Sequence, residues 1–280
     1  MATTALVVEG GGMRGIFAAG VLDAFLAETF KPFDFVVGVS AGSTTSVSYL
    51  AGDHGRSRKI ITGHACQRDF INYWRFLSGG HLADVRWLIH QSHNDVPLSV
   101  DRYTGQDTPL FVVTTAIDSG EACYFQADAD NMLDLFTASC ALPLIFKEYP
   151  KVNGDAMTDG GVGDAIPVQW AYQQGARDIT VILSRPRGFR KPPSRLSPVL
   201  RRLMQDTPAL YNAMITRDAR YNAAMDFIDH PPADCRINVI APGPDFPVSR
   251  LTTHGQRLEL GYRQGVLAGS GALQGAFSVA

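Results

Sequence analysis

Residues 5–15 read ALVVEGGGMRG and residues 38–42 read GVSAG, and these two glycine-rich stretches decide the fold. The apolar run 5–8 is typical of a strand that is buried on both faces of a sheet. Apolar residues then recur at steps of three and four over residues 14–28, which predicts a helix. Residues 33–39 form a second apolar run. Together these elements predict a right-handed βαβ unit whose parallel strands end at the same edge.

The rest of the chain continues to alternate apolar, β-branched runs with helical periodicity. Residues 53–101 are predicted to form helical excursions over the sheet. Further strands are predicted at 110–117, 121–127, 178–184 and 236–241, and helices at 131–141 and 167–174. This order predicts an α/β fold of three layers around a mainly parallel central sheet. We expect a single domain over residues 1–280, with the functional motifs in 5–184 and with 185–280 as an extension that completes the fold.

Composition and charge narrow the class of protein. The chain has 280 residues, of which 45% are hydrophobic and 19% are charged, and these fractions are typical of a globular protein. A formal net charge of -2 gives no basic field for nucleic acid. The N-terminus lacks the pattern of a signal peptide, and no apolar run is long enough to span a membrane. The four cysteines lie far apart with no zinc-ligand spacing, so we expect a cytoplasmic protein without a metal site.

The first glycine stretch, from Gly10 to Gly15, matches the G-x-G-x-x-G pattern between a strand and a helix. A dinucleotide-binding fold would also place a carboxylate at the end of the second strand, about 20 residues later, to bind the ribose hydroxyls. The second strand instead ends in GVSAG and offers no carboxylate. A nicotinamide- or flavin-binding protein therefore stays only as an alternative.

The second stretch places Ser40 between Gly38 and Gly42 at a turn from strand to helix. This G-x-S-x-G pattern is typical of a nucleophile elbow, where small neighbours let the serine adopt a strained conformation with an exposed hydroxyl. Neighbouring parallel strands are about 4.8 Å apart, so the glycine loop of the first strand should lie beside Ser40. Backbone N–H groups of such a loop can bind developing negative charge. Arg14 either adds positive charge there or pairs with a carboxylate such as Glu9, and both readings stay open.

A third stretch supplies an acidic group, since Asp159-Gly160-Gly161 follows a short apolar lead. The three stretches in this order resemble the patatin-like phospholipases. Residues 138–146, ASCALPLIF, resemble the family pattern A-S-x-A-x-P-x-x-F, and residues 159–167, DGGVGDAIP, resemble D-G-G-x-x-x-N-x-P. The resemblance covers roughly residues 5–184, and no family is recognised beyond about residue 185. Asp164 departs from the pattern, because the family often has asparagine at that position.

The resemblance implies a hydrolytic mechanism and assigns roles to particular residues. Ser40 would be the nucleophile and Asp159 the general base, so that the pair forms a dyad without histidine. The amides of Gly10, Gly11 and Gly12, together with Arg14, would form the oxyanion hole. The remaining motif glycines are Gly15, Gly38, Gly42, Gly160 and Gly161. The implied substrate is a fatty-acyl ester or phospholipid, and no metal or organic cofactor is required. Phe146 and the region after Asp53 are candidates for the acyl pocket.

Two other functions are compatible with these residues. In a Ser-His-Asp esterase of the α/β-hydrolase kind, Asp159 would orient a later histidine such as His230 or His254. An elbow only 40 residues into the chain is unusual for that class. The other alternative is a catalytically silent member of the family that binds lipid, because a fold does not determine function.

The segment Arg185–Arg202 has an unusual charge pattern. It contains seven positive residues, four prolines and no acidic residue. The simpler interpretation is a solvated loop that leads into a helix, with its positive charges facing no acid. The alternative is a surface patch that contacts anionic lipid head groups, which would place the protein peripherally at the inner membrane surface.

Overall fold

The computed structural model describes residues 3–193 and 198–277 of the chain, and within these ranges eight strands form one sheet. The strands are β1 (Thr3–Val8), β2 (Phe35–Val39), β3 (Leu110–Ala116), β4 (Ala122–Gln126), β5 (Lys151–Val152), β6 (Asp155–Asp159), β7 (Ala176–Ile182) and β8 (Arg236–Ile240). The spatial order is β5-β6-β3-β2-β1-β7-β8, and β4 pairs with β3.

Helices fill the connections between the strands. They are α1 (Gly15–Ala27), α2 (Ala41–Leu50), α3 (Arg56–Thr62), α4 (Tyr73–Leu77), α5 (Val85–Asp95), α6 (Val100–Thr104), α7 (Met132–Cys140), α8 (Gly160–Gly163), α9 (Val168–Gln173), α10 (Pro198–Leu203), α11 (Pro208–Ile215), α12 (Arg217–Asp229) and α13 (Gly255–Phe277). The predicted helical excursions over residues 53–101 are present as α3 to α6. Among the described helices, none is both long enough and apolar enough to cross a membrane.

The sheet is mainly parallel, as the sequence predicts. Strands β3, β2, β1, β7 and β8 run in the same direction, and β4, β5 and β6 are antiparallel to their neighbours. In the central pair, Val8 of β1 lies opposite Gly38 of β2. The two glycine stretches therefore leave the sheet side by side at its carboxyl edge.

Alternating residues of the central strands build a separate core on each face of the sheet. Leu6 and Val8 belong to a cluster that includes residues of α1, α2 and α7. Ala5 and Val7 belong to a second cluster, with residues of α9 and α12. This helix–sheet–helix arrangement confirms the predicted three-layer fold. It follows from the unbroken apolar runs, because a strand that is apolar on both faces must be covered twice.

The antiparallel strand β6 brings the third motif to the same edge. Val39 at the end of β2 lies opposite Val113 of β3, and the next residue of β3, Thr114, lies opposite Asp159. Asp159 is the last residue of β6. The register therefore places this carboxylate two strands away from the residue that follows Val39, which is Ser40.

The C-terminal part of the chain is built into the same structure. Strand β8 extends the sheet beside β7, and α13 packs against α1. The two helices approach so closely that a Cβ on Gly20 would lie 2.2 Å from the carbonyl oxygen of Tyr262. A Cβ on Gly265 would lie 2.2 Å from the carbonyl oxygen of Phe17. Tyr262 Oη also donates a hydrogen bond of 2.9 Å to the buried Asp23 carboxylate.

Substitution of Gly265 by valine should destabilise the protein, because the added side chain forces α13 away from the backbone of α1. We expect a loss of about 1–3 kcal/mol in the free energy of unfolding, as for other overpacked cores. Urea denaturation measures this change. Gly271→Ala is the matched control on the same helix, since a Cβ there meets no atom within 4 Å. The control should gain about 0.5–1 kcal/mol. Equal stability of the two variants would contradict the close packing.

Candidate active site

Ser40 occupies a strained turn between β2 and α2. Its φ is 53° and its ψ is -126°, a conformation that side-chain-bearing residues rarely adopt. The surrounding structure holds it there. The Ser40 N–H donates a hydrogen bond of 2.8 Å to Ser139 Oγ, and Ser139 Oγ donates one of 2.7 Å to the carbonyl of Val113. The nucleophile elbow is thus tied to both α7 and β3.

Close packing requires the glycines that flank Ser40. A Cβ on Gly38 would lie 2.6 Å from the Cα of Ser43, and a Cβ on Gly42 would lie 2.4 Å from the carbonyl oxygen of Val8. Both distances are far shorter than real contacts of this kind. The turn can therefore form only with glycine at these two positions.

The glycine loop lies beside Ser40, as the parallel pairing predicts. A Cβ on Gly10 would be 3.1 Å from the Cβ of Ser40, and a Cβ on Gly15 would be 2.9 Å from that of Ala41. The N–H of Met13 donates to the carbonyl of Arg250. Within the described part of the chain, the N–H groups of residues 10–12 have no protein acceptor. They are available to an anion next to Ser40.

Arg14 is buried in the same region, and its two predicted alternatives can now be compared. Its Nε donates a hydrogen bond of 3.3 Å to Ser184 Oγ, whereas Glu9 accepts one of 2.6 Å from the N–H of Ser184. Among the described residues, Arg14 and Glu9 form no direct ion pair. Burial lowers the pKa of Arg14 to about 10, and the charge of Glu9 opposes this shift. The guanidinium stays protonated at neutral pH.

Asp159 is buried, and three hydrogen bonds hold its backbone and its carboxylate. Its N–H donates to the carbonyl of Ala141 at 3.0 Å, and Thr115 Oγ1 donates to the Asp159 carbonyl at 2.8 Å. The N–H of Gly161 donates to Oδ1 at 2.8 Å. A Cβ on Gly160 would lie 2.1 Å from the carbonyl oxygen of Val113, so the loop after Asp159 also needs its glycine.

Opposing influences act on the Asp159 carboxyl group. Burial raises its pKa above the ordinary value, while the charges of Arg217 and Arg250 lower it. A hydrogen bond with the Ser40 side chain and the N–H of Gly161 lower it further. The net pKa is raised, which makes the carboxylate a stronger base than an exposed aspartate. Burial raises the pKa of the neighbouring Cys140 to about 12, so this thiol is protonated and does not compete as a nucleophile.

Asp164, the departure from the family pattern, is fully bonded. Its Oδ2 accepts a hydrogen bond of 2.8 Å from Tyr124 Oη, and its Oδ1 accepts one of 3.2 Å from the N–H of Ile166. Both side-chain oxygens thus act as acceptors, a pattern that a carboxylate satisfies directly. The aspartate loop is held in place with Asp164 as it stands.

Two cavities meet at Ser40. The first has an empty volume of about 1190 Å³, partly open to solvent, and its wall is mainly apolar, with residues of α2, α3, α5 and α7 among the lining. The second has an empty volume of about 430 Å³ and contains Asp159 and the loop of residues 10–12. Both cavities are lined by Gly12, Ser40, Leu142 and Arg250. Phe146 packs behind the first cavity against Val85 and Ala141.

Histidine takes little part in this site. His230 and His254 are exposed and line neither cavity, whereas His93 of α5 lines the apolar one. The histidines named for the Ser-His-Asp alternative are therefore not brought to Ser40. Asp159 meets Ser40 without either of them.

Sequence analysis missed the basic residues that the C-terminal part contributes. Arg185, Lys191, Arg217 and Arg250 line the second cavity beside Asp159. These residues are far apart in the sequence and follow no known spacing. The only available signal was the basic composition of residues 185–202.

The expectation that this basic segment faces no acid is wrong for two of its residues. Arg190 Nη2 lies 3.1 Å from Asp226 and 2.8 Å from Asp229, both on α12. Arg187 lies 3.9 Å from Asp229. The acids come from a distant helix, so the segment's own composition could not reveal them. Arg195 lies outside the described residues.

Comparisons with known proteins assign the chain to a family. The sequence model of the patatin-like phospholipase family matches residues 6–172. The chain therefore belongs to the patatin-like phospholipase family, a family that implies lipid acyl hydrolase activity. A second model, a domain of unknown function called DUF6363, matches residues 207–275.

Two relatives extend the comparison to nearly the whole chain. The uncharacterized protein YjjU of Escherichia coli (strain K12) is 33% identical over 269 residues, which cover 95% of this chain and 75% of YjjU. The fold is similar to the crystal structure of VipD from Legionella pneumophila, with a TM-score of 0.52 and 13% identity. That superposition covers 98% of this chain and 67% of the VipD chain.

Proposed function

We propose that this protein cleaves fatty-acyl esters, phospholipids among them, through a Ser40–Asp159 dyad. The observation that carries the proposal is the meeting of a strained serine, a buried aspartate and unoccupied glycine amides in one cavity. The Ser40 side chain is close enough to lower the pKa of the Asp159 carboxyl group, so this carboxylate is the proposed acceptor of the hydroxyl proton. Among the described residues, no histidine lines the polar cavity.

The reaction takes place in two halves. Ser40 Oγ attacks the ester carbonyl carbon while Asp159 takes the hydroxyl proton, and the amides of residues 10–12 with Arg14 stabilise the oxyanion. The tetrahedral intermediate then expels the alcohol, which leaves with the proton from Asp159. In the second half Asp159 takes a proton from water, and the resulting hydroxide attacks the acyl-enzyme. The fatty acid leaves and Ser40 regains its proton.

The apolar cavity is the proposed acyl pocket. It begins at Ser40 and extends between α3, α5 and α7, so an ester bound at Ser40 can direct its chain into apolar surroundings. Most of its walls come from the region after Asp53, and Phe146 supports the wall from behind. The cavity thus favours an ester with an aliphatic chain.

We further propose that residues 1–280 work as a single cytoplasmic domain. Arg217 and Arg250, which belong to the C-terminal part, complete the wall of the catalytic cavity. The cysteines Cys66, Cys123, Cys140 and Cys235 are all unpaired, which suits a reducing compartment. The active lipase on this proposal needs both parts of the chain.

Removal of either member of the dyad tests the mechanism. Ser40→Ala and Asp159→Asn should each lower kcat/KM for a short-chain ester by about a thousandfold or more, since members of a unit that act together lose nearly all the chemistry singly. The double variant should be no worse than either single one. Because the pKa of Asp159 is raised and its ionised form is the base, activity should fall on the acidic side at a higher pH than for an ordinary aspartate.

Histidine variants are the matched controls for the dyad. His93→Ala, His230→Ala and His254→Ala should keep most of the activity, and thermal unfolding confirms that each variant is folded. A folded histidine variant as inactive as Ser40→Ala would instead identify a triad. An unaltered protein with no turnover on any ester would identify a silent, lipid-binding member.

A side chain in the glycine loop should disable the oxyanion hole. Gly12 has a φ of +58°, and a Cβ there would lie 2.8 Å from the carbonyl oxygen of Arg250. Gly12→Val should therefore turn or block an amide and lower kcat by about 100- to 1,000-fold. Gly11→Ala, whose Cβ would meet Ser184 Oγ at 2.9 Å, is a milder second variant. Gly255→Ala, in open surroundings, is the control, and full activity of Gly12→Val would remove the assignment.

We also propose peripheral contact with a lipid surface. In the segment Arg185–Arg202, the structure leaves Arg201 and Arg202 exposed, while Arg187 and Arg190 pair with acids. A second exposed surface is apolar. Helix α4 exposes 62% of Tyr73, 82% of Trp74 and 75% of Leu77, and it follows Phe70 and Ile71 of the acyl cavity wall. Tyrosine and tryptophan favour the membrane interface.

Vesicle sedimentation separates the two surfaces. Leu77→Ser should weaken binding to anionic vesicles, whereas Leu267→Ser on α13, where leucine is similarly exposed at 73%, should leave it unchanged. The paired change Arg201→Gln and Arg202→Gln should reduce the salt dependence, because each basic residue near the surface contributes up to about 1 kcal/mol. Binding that is unchanged by Leu77→Ser and whose salt dependence is unchanged by the paired arginine substitutions would rule out both surfaces.

A further inference from the structure

The polar cavity beside Ser40 carries an excess of positive charge. Two acidic side chains line it, Glu9 and Asp159. Five basic side chains line it as well: Arg14, Arg185, Lys191, Arg217 and Arg250. Burial of like charges is costly unless an opposite charge or a ligand compensates them. The excess therefore needs an explanation.

The cations that lie nearest to the reaction are not held in direct ion pairs within the described part of the chain. Within the described ranges, Lys191, Arg217 and Arg250 form no ion pair within 4 Å. Arg217 Nε is buried and has no hydrogen-bond partner. The two acids have other roles, because Glu9 accepts from the N–H of Ser184 and Asp159 accepts from the N–H of Gly161. The guanidinium of Arg217 is thus left to bind an acceptor from outside.

These cations stand at short range from the catalytic groups. A Cβ on Gly161, two residues after Asp159, would lie 3.2 Å from Arg217 Nη2. A Cβ on Gly12 would lie 3.0 Å from Cγ of Arg250. Arg250 lines the apolar cavity as well as the polar one. An ester bound at Ser40 would place its acyl chain on one side and the rest of the molecule among the cations.

The neighbouring cations also affect the protonation of Lys191. Its Nζ lies 4.0 Å from the ring centroid of Tyr221. Burial, together with the charges of Arg217, Arg250 and Arg14, lowers its pKa to about 7, and the charge of Glu9 opposes this shift. A bound anion would compensate these cations and keep Lys191 protonated. The cavity is therefore better suited to an anionic group than to solvent.

We propose that the polar cavity binds the phosphate of a net-anionic head group, so that the enzyme prefers acyl esters of this class to zwitterionic and neutral ones. The preference rests on the proposed hydrolysis at Ser40. An ester bound there must place its acyl chain in the apolar cavity and its head group in the polar cavity. Guanidinium groups bind phosphate oxygens through two parallel hydrogen bonds. A choline group would bring a further positive charge into a cavity whose lining already carries five basic side chains against two acidic ones.

Three soluble esters with the same short acyl chain test the preference. They carry glycerol, glycerol phosphate or glycerophosphocholine, and each is used below its micelle concentration so that surface binding plays no part. The phosphate monoester should show a kcat/KM higher than the other two by about tenfold or more, since a hydrogen bond to a charged group is worth about that factor. Equal values for the three esters would overturn the inference while leaving the hydrolytic function intact.

Variants assign the preference to particular residues. Arg217→Gln, Arg250→Gln and Lys191→Gln should each lower the ratio of phosphate to choline ester by about tenfold. Arg190→Gln is the matched control, because Arg190 belongs to the same basic segment but pairs with Asp226 and Asp229 outside the cavity. It should leave the ratio unchanged. A variant could instead lower kcat/KM by the same factor for all three esters and shift the acidic limb of the pH profile. That result would show that the cations only alter the pKa of Asp159, and it would overturn the inference.

Binding measurements separate this inference from the proposed function. They use the unaltered protein, so they do not depend on whether a variant folds. An ether-linked alkyl glycerol phosphate cannot be hydrolysed, and calorimetry should show that the unaltered protein binds it about tenfold more tightly than the corresponding alkyl glycerol. If this preference appears without turnover of any ester, the cavity assignment stands and the hydrolytic function fails. If inorganic phosphate binds as tightly as the ether, the head-group assignment fails instead.

Discussion

Backbone packs directly against backbone at the carboxyl edge of the sheet, and the whole site depends on that contact. Gly42 at the start of α2 lies against the carbonyl of Val8, and Gly160 lies against the carbonyl of Val113. Any side chain at these glycines would separate the turns from the strands by more than an ångström. The positions of Ser40 and Asp159 are therefore set by the sheet itself, and local flexibility cannot easily alter them.

The sequence was sufficient to predict the fold and the edge of the sheet at which Ser40 and Asp159 meet, for a definite physical reason. Glycine, serine and aspartate at fixed spacing report on backbone geometry that only those residues tolerate, so residues 10–15, 38–42 and 159–161 could be identified locally. Arg217 and Arg250 could not, because a basic residue on a helix or loop has no local signature. Their place beside Asp159 comes from the packing of the C-terminal part. The position of Phe146 could not be predicted either. Its aromatic side chain suggested the acyl pocket, but it packs behind the cavity wall and does not line the cavity.

The two cavities give the site an electrical as well as a steric asymmetry. On one side of Ser40 the cavity wall is mainly apolar, with residues of α2, α3, α5 and α7 among its lining. On the other side buried cations raise the electrostatic potential, which partly offsets the effect of burial on the Asp159 pKa. A low-dielectric surrounding strengthens both influences. On the proposed function, such a site would orient an amphiphilic ester by its two ends before Ser40 attacks it.

The packing of α13 on α1 has a consequence for how the protein is made. Residues 15–25 of α1 are all buried, and α1 begins immediately after the glycine loop. Their partner surface on α13 is synthesised more than 200 residues later. During that interval the face of α1 that α13 covers in the finished protein stays exposed, and exposed apolar surface of this kind promotes aggregation and chaperone binding. A chain interrupted before α13 would keep that surface uncovered directly beside the glycine loop.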